Sequence, residues 1–527
     1  MANSLVNEHV VRARAEAAPA LLHWLPSLTS LALFLPLALL YWQVGSASSF
    51  LSDPITGVDI HVGQWILSHH AIPHHGLFAF TLAGGPWWDW EWLSDVLYAL
   101  LFRIHGLSAI VAFHLGLLCL ISVILYGTAR LRAGRTVAFA VTCLVMAATT
   151  IHWLARPHLI TWLFLAIFCF LLERADVVGD HKPLLVLPLL MILWVNLHPG
   201  FVAGLLVLGA WCAHSLVRYW SVSDEKDHHR RKAQAFWFGL LFASCLAATV
   251  VNPYRWHLDG HIASYLFSPK SVTSHVAEWL SPDFHNPRLH WFELLLPLAA
   301  AAGLWQGTRG HLTHCALVFG WMHLALMCVR NVPLFAIVCA GPIAAAGERF
   351  IGQCRFGGDL HTVEAVLASH RPRRGAALAY CLAWALLAGI FLCGPTNFGP
   401  PSLLSVNAVQ HLPAGRLFTT DRWADYLIYV EPNRQVFFDG RNDAYGAQIL
   451  NDYLIVMRAQ PGWREILSRY GIVVALVPCN SSIASAFGET PQWTLTYRDG
   501  VAAVYLRTVS TEAANSRRTP RTSPRRQ

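Results

Sequence analysis

Long apolar runs separated by short polar connections occupy most of the chain. A helix that crosses a bilayer needs about 20 apolar residues, because the hydrocarbon core is about 30 Å thick and each residue rises about 1.5 Å. Eleven runs of comparable length are present, centred on 23–43, 107–129, 136–152, 159–173, 184–198, 200–220, 235–252, 291–306, 312–329, 332–347 and 376–394. The pattern therefore predicts an α-helical polytopic membrane domain over residues 23–395, with about 11 transmembrane helices.

Two segments depart from this pattern. The first is the large loop 45–106, in which Trp90–Ile104 is predicted as a helix at the membrane interface, where indole rings prefer to lie. The second is 396–510, whose composition is that of a soluble domain. Three short strands are predicted there in "QVFFDG", "GIVVALVP" and "VAAVYLR", with a helix over Ala447–Ala459. Residues 396–510 are therefore predicted to form a small α/β domain.

The composition supports a membrane class. Of the 527 residues, 55% are hydrophobic and 13% charged, whereas a soluble domain carries about 25% charged residues. This balance excludes a soluble enzyme, a disordered chain, a collagen and a disulfide scaffold. The 12 cysteines fall almost entirely within apolar runs and form no C-x-x-C pair, so they indicate neither a zinc site nor a disulfide framework.

The net charge of +8 does not indicate nucleic acid as a partner. Half of it comes from the arginine-rich tail 511–527, which is predicted to be disordered. The other basic residues orient the helices, because cytoplasmic loops are enriched in Lys and Arg. The predicted connections carry 18 basic residues on one side and six on the other. Residues 1–22 are therefore predicted to be cytoplasmic, and 396–510 extracytoplasmic.

Ionisable residues are expensive near the bilayer core, so each is a candidate for function. Under the predicted orientation they gather at the outer helix ends, where the loop acids Glu278 and Asp283 also lie. The set that we single out is Asp53, Asp59, Glu91, Arg156, His158, His198 and Arg330. A carboxylate beside a hydroxyl can act as a general base. Arginines and histidines can bind the phosphate of a leaving group. The pattern therefore favours group transfer from a lipid-phosphate carrier outside the cytoplasm.

These residues also have structural interpretations. Asp53 can cap the helix that follows it, and Asp59 fits a solvated helix face equally well. The arginines at 156 and 330 can extend to the membrane interface. Asp89 and Asp95 are predicted to lie at the surface, and the histidines at 69, 70, 74 and 75 are predicted to form a solvated loop rather than a metal site.

The order of several short motifs resembles a bacterial branch of the GT-C membrane glycosyltransferases, relatives of protein mannosyltransferases and aminoarabinose transferases. The motifs are "GQWILSHHAIP", "FAFTLAGGPWWDWEWLSDVLYAL", "RPHLITWLFL", "LWVNLHPGFVAGL", "VAEWLSPDF", "RNVPLFAI" and "VFFDGRNDAYG", after an aspartate that follows the first span. The resemblance implies a GT-C-like fold, a polyprenyl-phosphate sugar as donor, inverting transfer and a catalytic aspartate in the first outer loop. Asp53 matches that position.

The chain departs from this family pattern. The branch often has D-x-D-x-x-x-H where this chain reads "DPITGVDIH", so Ile55 replaces the second acid and Asp59 stands in place of the histidine. Gly76 stands where a further aspartate is expected. Either Asp59 has taken over a role, or the activity is altered. The resemblance gives no certain cofactor and leaves a divalent metal open.

The leading hypothesis is a multi-pass glycosyltransferase of the bacterial inner membrane that moves a sugar from a polyprenyl-phosphate carrier to an envelope glycan, lipid or protein. Asp53 is the base in this hypothesis, assisted by Asp59 or Glu91. The phosphate is bound by Arg156, His158, His198 and Arg330. Acceptor-side candidates are Asp439, Arg441, Asp443 and Tyr445, for which a glycine-containing turn braced by an Arg–Asp pair is an equal alternative.

Two other functions remain open. A ligase or polymerase of lipid-linked glycans would use the same arginines and histidines without a carboxylate base. A transporter or a non-catalytic membrane subunit is the second alternative. Paired repeats are typical of transporters, and the sequence contains no evident repeat.

Overall fold

The computed structural model describes residues 26–44, 47–82, 87–221, 225–267, 277–354, 363–364, 374–393, 396–398 and 405–508. The predicted cytoplasmic segment 1–22 and the predicted disordered tail 511–527 lie outside the described residues. The chain divides into two compact units. The helical unit comprises Met1–Ser52, Gly63–His70 and Trp88–Asn397, and the α/β unit comprises Asp53–Val62, Ala71–Trp87 and Phe398–Gln527.

The helical unit is built from apolar helices joined by short connections. Their bounds are α1 (Leu28–Leu39), α2 (Ala47–Phe50), α3 (Ile55–His69, shared with the α/β unit), α4 (Trp92–Arg132), α5 (Arg135–Thr149), α6 (His158–Val178), α7 (Leu187–Leu197), α8 (Val202–Trp220), α9 (Glu225–Ala248), α10 (Trp256–Phe267), α11 (His290–Thr308), α12 (Leu312–Met327), α13 (Val332–Ile351) and α14 (Arg374–Leu392). Every one of the eleven predicted apolar runs coincides with one of these helices. The pattern of hydrophobic positions therefore located the helices well.

Length and composition separate these helices further. Within the described residues, four helical stretches are long and apolar enough to cross a membrane: Trp92–Arg132, Arg135–His152, Pro199–Trp220 and Val329–Ile351. Shorter apolar helices cover Leu28–Trp42, Lys182–Leu197, Leu312–Met327 and Leu378–Ile390. These helices support a membrane protein, while the number of about eleven crossings and their orientation stay predictions.

Two helices organise the packing of this unit. Helix α4 packs against α1, α5 and α6, and α13 packs against α5, α11 and α12. Helix α13 buries nearly every residue of its first half, because its apolar side chains point in all directions and other helices surround it.

Helix α4 changes direction at His105 and Gly106. The φ of Gly106 is +59°, a backbone conformation that glycine adopts without a Cβ clash. The helix predicted over Trp90–Ile104 is thus the first part of α4, and it begins at Trp92.

The α/β unit contains a four-stranded sheet with short helices. Its elements are α15 (Val406–Gln410), β1 (Leu417–Thr419), α16 (Asp421–Val430), α17 (Ala447–Met457), α18 (Trp463–Arg469), β2 (Val474–Pro478), α19 (Ser482–Gly488), β3 (Trp493–Arg498) and β4 (Ala502–Arg507). The strand order is β1-β2-β4-β3, with β1 parallel to β2 and the other pairs antiparallel. Strand β2 is almost fully buried, as a central strand with an unbroken apolar run should be.

The predicted strand in "QVFFDG" is wrong as a regular element. Val436 makes only single parallel bridges, to Ala79 and to Leu417, while its neighbours belong to no strand. The apolar residues there are buried by rings rather than by a ladder, since Phe437 contacts Tyr470 and Phe438 stacks on Tyr453. The strands in "GIVVALVP" and "VAAVYLR" and the helix from Ala447 are confirmed.

Candidate functional site

Basic side chains converge on one carboxylate in the helical unit. Arg156 lies in the turn between α5 and α6, and its Nη1 donates to Glu278 Oε1 at 3.2 Å. Arg330 lies in the short 3-10 segment before α13, with Nη1 3.7 Å from Glu278 Oε2. His152 Nε2 is also 3.7 Å from Oε2. Three loop segments thus place two guanidinium groups and an imidazole around a single anion, which is the arrangement that binds an oxyanion.

The carboxylate of Glu278 stays ionised over a wide pH range. Burial alone would raise its pKa, but Arg156, His152 and Arg330 together lower the pKa of Glu278 to about 2. The side chains of Arg156, Glu278 and Arg330 are 19%, 26% and 24% exposed to solvent. A ligand can therefore reach this basic cluster. The guanidinium of Arg330 also lies 5.6 Å from the ring centroid of Trp279.

His198 and Glu91 form a second contact in the same unit. His198 follows the last residue of α7, and its Nε2 lies 3.5 Å from Glu91 Oε1 at the start of α4. Both Arg156 and Arg330 act electrostatically on the buried ring of His198. Four of the residues singled out from the sequence therefore share one neighbourhood.

His158 is positioned differently. It is the first residue of α6 and is buried, and its Nε2 donates to the backbone oxygen of His152 at 2.9 Å. This bond orders the turn that carries Arg156. Phosphate binding by His158 stays a prediction, and direct contact through Nε2 would require this bond to break.

The prediction that Asp89 and Asp95 lie at the surface is wrong, because each is 3% exposed. The backbone N–H of Asp89 donates to Tyr254 Oη at 2.9 Å. The tryptophan-rich segment packs against α10 and the residues before it, with Trp88 and Tyr254 ring centroids 5.2 Å apart. Aromatic packing therefore buries carboxylates that a polar sequence pattern assigns to the surface.

Asp53 lies in the α/β unit, directly before α3. Its Oδ1 accepts the backbone N–H of Ile55 at 3.2 Å, so the capping interaction considered from the sequence is present. Asp53 also acts electrostatically on Asp421 and Asp425, one turn apart on α16. Gly57 lies against the side chain of Tyr429, which holds the start of α3 close to α16.

The two aspartates of α16 are unusual carboxyls. Asp425 accepts the backbone N–H of Gly440 at 2.8 Å and is 1% exposed. Burial, followed by the charges of Asp439 and Asp53, raises the pKa of Asp425 well above its ordinary value. Burial likewise raises the pKa of Asp421. The protonated form of Asp425 is thus favoured, which limits the repulsion with Asp53.

The acceptor-side candidates Asp439, Arg441 and Tyr445 are in direct contact. Arg441 Nε and Nη2 donate to the two oxygens of Asp439 at 3.0 and 2.6 Å, and Tyr445 Oη accepts the backbone N–H of Asp439 at 3.0 Å. The guanidinium lies 4.7 Å from the centroid of Trp87. Burial alone would lower the pKa of Arg441, but Asp439 raises it above its ordinary value. This geometry is that of the braced turn, and an acceptor role stays a prediction.

The remaining two candidates are Asp59 and Asp443. Asp59 is buried within α3, in contrast to the solvated position considered from the sequence. Asp443 is half-buried in the 3-10 segment Asn442–Ala444, directly after the braced turn. Their proposed roles stay predictions.

Within the described residues, one group of side chains has ligand atoms close enough to hold a metal ion. It consists of Glu173 and Asp176 on α6 and His314 on α12, with ligand atoms within 4.8 Å of one another. Arg132 lies 2.6 Å from Glu173 Oε2, and His314 Nε2 lies 2.8 Å from Glu173 Oε1. Arg132 already forms ion pairs with both carboxylates, and His314 contacts one of them, so an ion-pair network explains the group.

The structure thus brings together Glu91 with His198, Arg156 with Arg330, and Asp439 with Arg441 and Tyr445. Asp53 and Asp59 belong to a different unit from Glu91. Two residues near these candidates, Asp421 and Asp425, were not singled out from the sequence, and Glu278 was placed at the outer helix ends without a role. The i, i+4 spacing of the aspartates on an amphipathic helix was a usable signal, whereas no pattern connects Glu278 to Arg156.

Solved structures of an oligosaccharyltransferase from Archaeoglobus fulgidus have a similar fold. The chain is 11% identical to the apo crystal structure, with a TM-score of 0.52 over 86% of this chain and 69% of that chain. It is 10% identical to AglB in complex with an inhibitory peptide and a dolichol-phosphate, with a TM-score of 0.53 over 91% and 74%. The structure with a tethered acceptor peptide gives 11% identity and a TM-score of 0.51, over 86% of this chain and 68% of that chain.

The fold of this chain is thus similar to that of these oligosaccharyltransferase structures. No family model matches the sequence, and no curated protein matches it. The likeness at this level of identity concerns the fold.

Proposed function

We propose that this protein is a membrane glycosyltransferase that moves a sugar from a polyprenyl-phosphate carrier to an envelope glycan, lipid or protein on the extracytoplasmic side of a bacterial inner membrane. The observation that carries the proposal is that Arg156 and Arg330 both contact the carboxylate of Glu278. They do so within a fold that resembles that of oligosaccharyltransferases. One of those neighbours was solved with a dolichol-phosphate, a lipid phosphate of the proposed class.

The leaving group of the reaction is a lipid phosphate. When the bond between the anomeric carbon and the phosphate oxygen breaks, its electron pair remains on that oxygen and negative charge develops. The guanidinium groups of Arg156 and Arg330 stabilise this charge, and His198 donates a further hydrogen bond. His158 supports the site by ordering the turn that carries Arg156.

The acceptor must lose a proton as it attacks. In the proposed step its hydroxyl oxygen forms a bond to the anomeric carbon while Asp53 takes the hydroxyl proton, and the configuration at that carbon inverts. Asp59 or Glu91 assists, and the α/β unit with Asp443 contacts the acceptor.

The base assignment is tested with Asp53→Asn, which keeps the capping oxygen but cannot accept a proton. Transfer of radiolabelled sugar from an undecaprenyl-phosphate sugar should fall by about two orders of magnitude or more, in the range of general-base losses. Asp180→Asn is the matched control, because Asp180 Oδ1 also accepts the N–H two residues ahead, at 3.1 Å on an exposed turn. Undiminished transfer by a folded Asp53→Asn protein would contradict the assignment.

A ligase or polymerase of lipid-linked glycans is a second candidate. One observation favours it: Asp53 caps α3 and acts electrostatically on Asp425. These contacts give Asp53 a structural role, and a ligase needs no carboxylate base. In that case transfer would survive loss of Asp53, Asp59 and Glu91 but not loss of Arg330. Demonstrated flux of a substrate without a covalent product would instead favour a transporter.

A further inference from the structure

The ring of His198 is held by donors on one side. Its Nδ1 accepts the backbone N–H of Gly200 at 2.9 Å and lies 2.8 Å from Thr161 Oγ1. Trp194 Nε1 donates to the same Thr161 oxygen at 2.9 Å. The threonine oxygen is therefore already an acceptor from the indole, and its own proton is available for the histidine nitrogen. All of these side chains are buried.

Glycine at position 200 is required for this arrangement. A Cβ built there would lie 2.4 Å from Thr161 Oγ1 and 2.8 Å from His198 Nδ1. These distances are shorter than any real Cβ contact, so a side chain would push the N–H away from the ring. The "HPG" sequence thus combines the histidine with a backbone donor that can reach it.

The donor set determines which nitrogen carries the proton. A backbone N–H can only donate, so Nδ1 must present its lone pair, and a neutral imidazole then has its proton on Nε2. That nitrogen points toward Glu91 Oε1, 3.5 Å away. We propose that Thr161 is a positioning residue that, together with Gly200, fixes His198 as the neutral Nε2–H tautomer, so that His198 donates to an anionic phosphate oxygen. This inference rests on the proposed function for the identity of the phosphate.

The charges around His198 fit this assignment. Arg156, from the turn before α6, and Arg330, from the segment before α13, both oppose a positive charge on the ring. Glu91, at the start of α4, favours a positive charge, with its Oε1 3.5 Å from Nε2. Thr161 on α6 and Trp194 on α7 are uncharged. A donor that stays neutral can approach two arginines without repelling them, which a histidinium could not.

The tautomer can be observed directly by solid-state NMR of the full-length protein in lipid with ¹⁵N-labelled histidine. The His198 signals are assigned by their loss in His198→Gln. We expect an unprotonated Nδ1 and a protonated Nε2 that do not change between about pH 5 and 8. A protonated Nδ1 at neutral pH would overturn the inference, whatever the substrate is.

The role of Thr161 is tested with a graded set of variants. Thr161→Val removes one of the two donors to Nδ1 and leaves the Gly200 N–H, so the ¹⁵N signal of Nδ1 should move toward that of a more weakly hydrogen-bonded nitrogen. Binding of undecaprenyl phosphate in lipid nanodiscs should weaken about tenfold, as for loss of one hydrogen bond to a charged group. Thr161→Ser retains the hydroxyl and should restore both the wild-type NMR signal of His198 and the affinity for undecaprenyl phosphate. Thr142→Val is the control, because that buried threonine on α5 donates only to its own helix, to Ala138.

The outcomes separate the two proposals. If the wild-type protein binds no undecaprenyl phosphate, the proposed donor is wrong even with the expected tautomer. If it binds and folded Thr161→Val binds equally well, the positioning role is wrong while the donor stands. If Thr161→Ser fails to restore the NMR signature, the hydroxyl is not what holds Nδ1, and the role of Thr161 is overturned.

Discussion

The two units each contain a cluster of opposite charges, but the balance of the clusters differs. In the helical unit, the basic cluster places Arg156, Arg330 and His152 around the single carboxylate of Glu278. The two arginines and the glutamate are partly exposed, and the histidine is buried. In the α/β unit, one guanidinium, Arg441, faces several carboxyls, and the Asp439–Arg441 pair is almost fully buried. The first cluster has more basic groups than acidic ones, whereas the second has more acidic groups than basic ones.

This difference separates a ligand site from a structural brace. Exposed excess cations can exchange their internal anion for a phosphate oxygen with little loss of solvation. A buried pair has no solvent path and its ions must stay together, because a single uncompensated buried charge is costly. For the surplus carboxyl in the α/β unit, Asp425, burial and the charges of Asp439 and Asp53 raise the pKa instead. The comparison can be tested by removing one charge at a time.

The largest effect is expected from Asp439→Asn. It leaves the buried guanidinium of Arg441 without its anion, so the free energy of unfolding should fall by about 3–5 kcal/mol. Chemical denaturation of the full-length protein in detergent measures this. Glu431→Gln is the control, since the Glu431–Arg434 pair is more exposed and should contribute below about 1 kcal/mol. Equal losses for both variants would remove the distinction between the clusters.

Arg330→Ala should act on binding rather than on stability. Affinity for undecaprenyl phosphate should fall by about ten- to a hundredfold, as for loss of a charge-assisted hydrogen bond, while the melting temperature changes little. Arg309→Ala is a matched control, because its guanidinium also lies over a tryptophan ring, 5.5 Å from Trp305. A similar loss of affinity in Arg309→Ala would mean that general charge near the membrane, not this site, attracts the lipid.

Glu278→Gln should expose the excess positive charge of the basic cluster. The variant should be less stable by about 1–2 kcal/mol, and added inorganic phosphate should restore part of that stability by binding the unpaired arginines. Thermal unfolding with and without phosphate is the measurement. In the wild type the ion pairs persist at neutral pH and are lost only as the pH falls from about 4.5 toward 2, because the pKa of Glu278 is lowered. Phosphate that stabilises wild type and variant equally would argue against a shared anion site.

The smallest effect is expected from Asp425→Asn. A carboxyl with a raised pKa holds its proton better in the folded state, so its contribution to stability declines as the pH rises above its ordinary value of 3.8. Asparagine resembles the protonated acid, so the variant should show a flatter dependence of the melting temperature between about pH 5 and 8. A dependence as steep as that of the wild type would mean that Asp425 is ionised in the fold.

The hydrophobic pattern was sufficient to locate the helices and two of the strands, because burial in either a membrane or a sheet core requires continuous apolar residues. It failed for "QVFFDG", where the same residue types are buried by aromatic rings rather than by strand pairing. It also misplaced Asp89 and Asp95, since polarity alone does not reveal that both are buried or that Asp89 lies against Tyr254.

The candidate site was predictable in its residue types but not in its pairings. Arg156 and Arg330 stood out because charge is rare near predicted spans. Their partner Glu278 is far from both in the chain, and no local pattern indicates a contact between separate loops. The same holds for Thr161, which by sequence is an ordinary residue of an apolar helix. The role proposed for its hydroxyl depends on contact with His198, 37 positions away.

The break at His105 and Gly106 has a consequence for the fit of α4 to a membrane. As one straight rod, this 41-residue helix would be about 60 Å long, twice the thickness of a hydrocarbon core. The break leaves a section of about 39 Å after Gly106, which is long enough to span a bilayer with moderate tilt. The section before it is about 20 Å long and too short to do so. A Cβ at Gly106 would meet open space, so glycine is favoured there by its φ of +59° and not by a close neighbour.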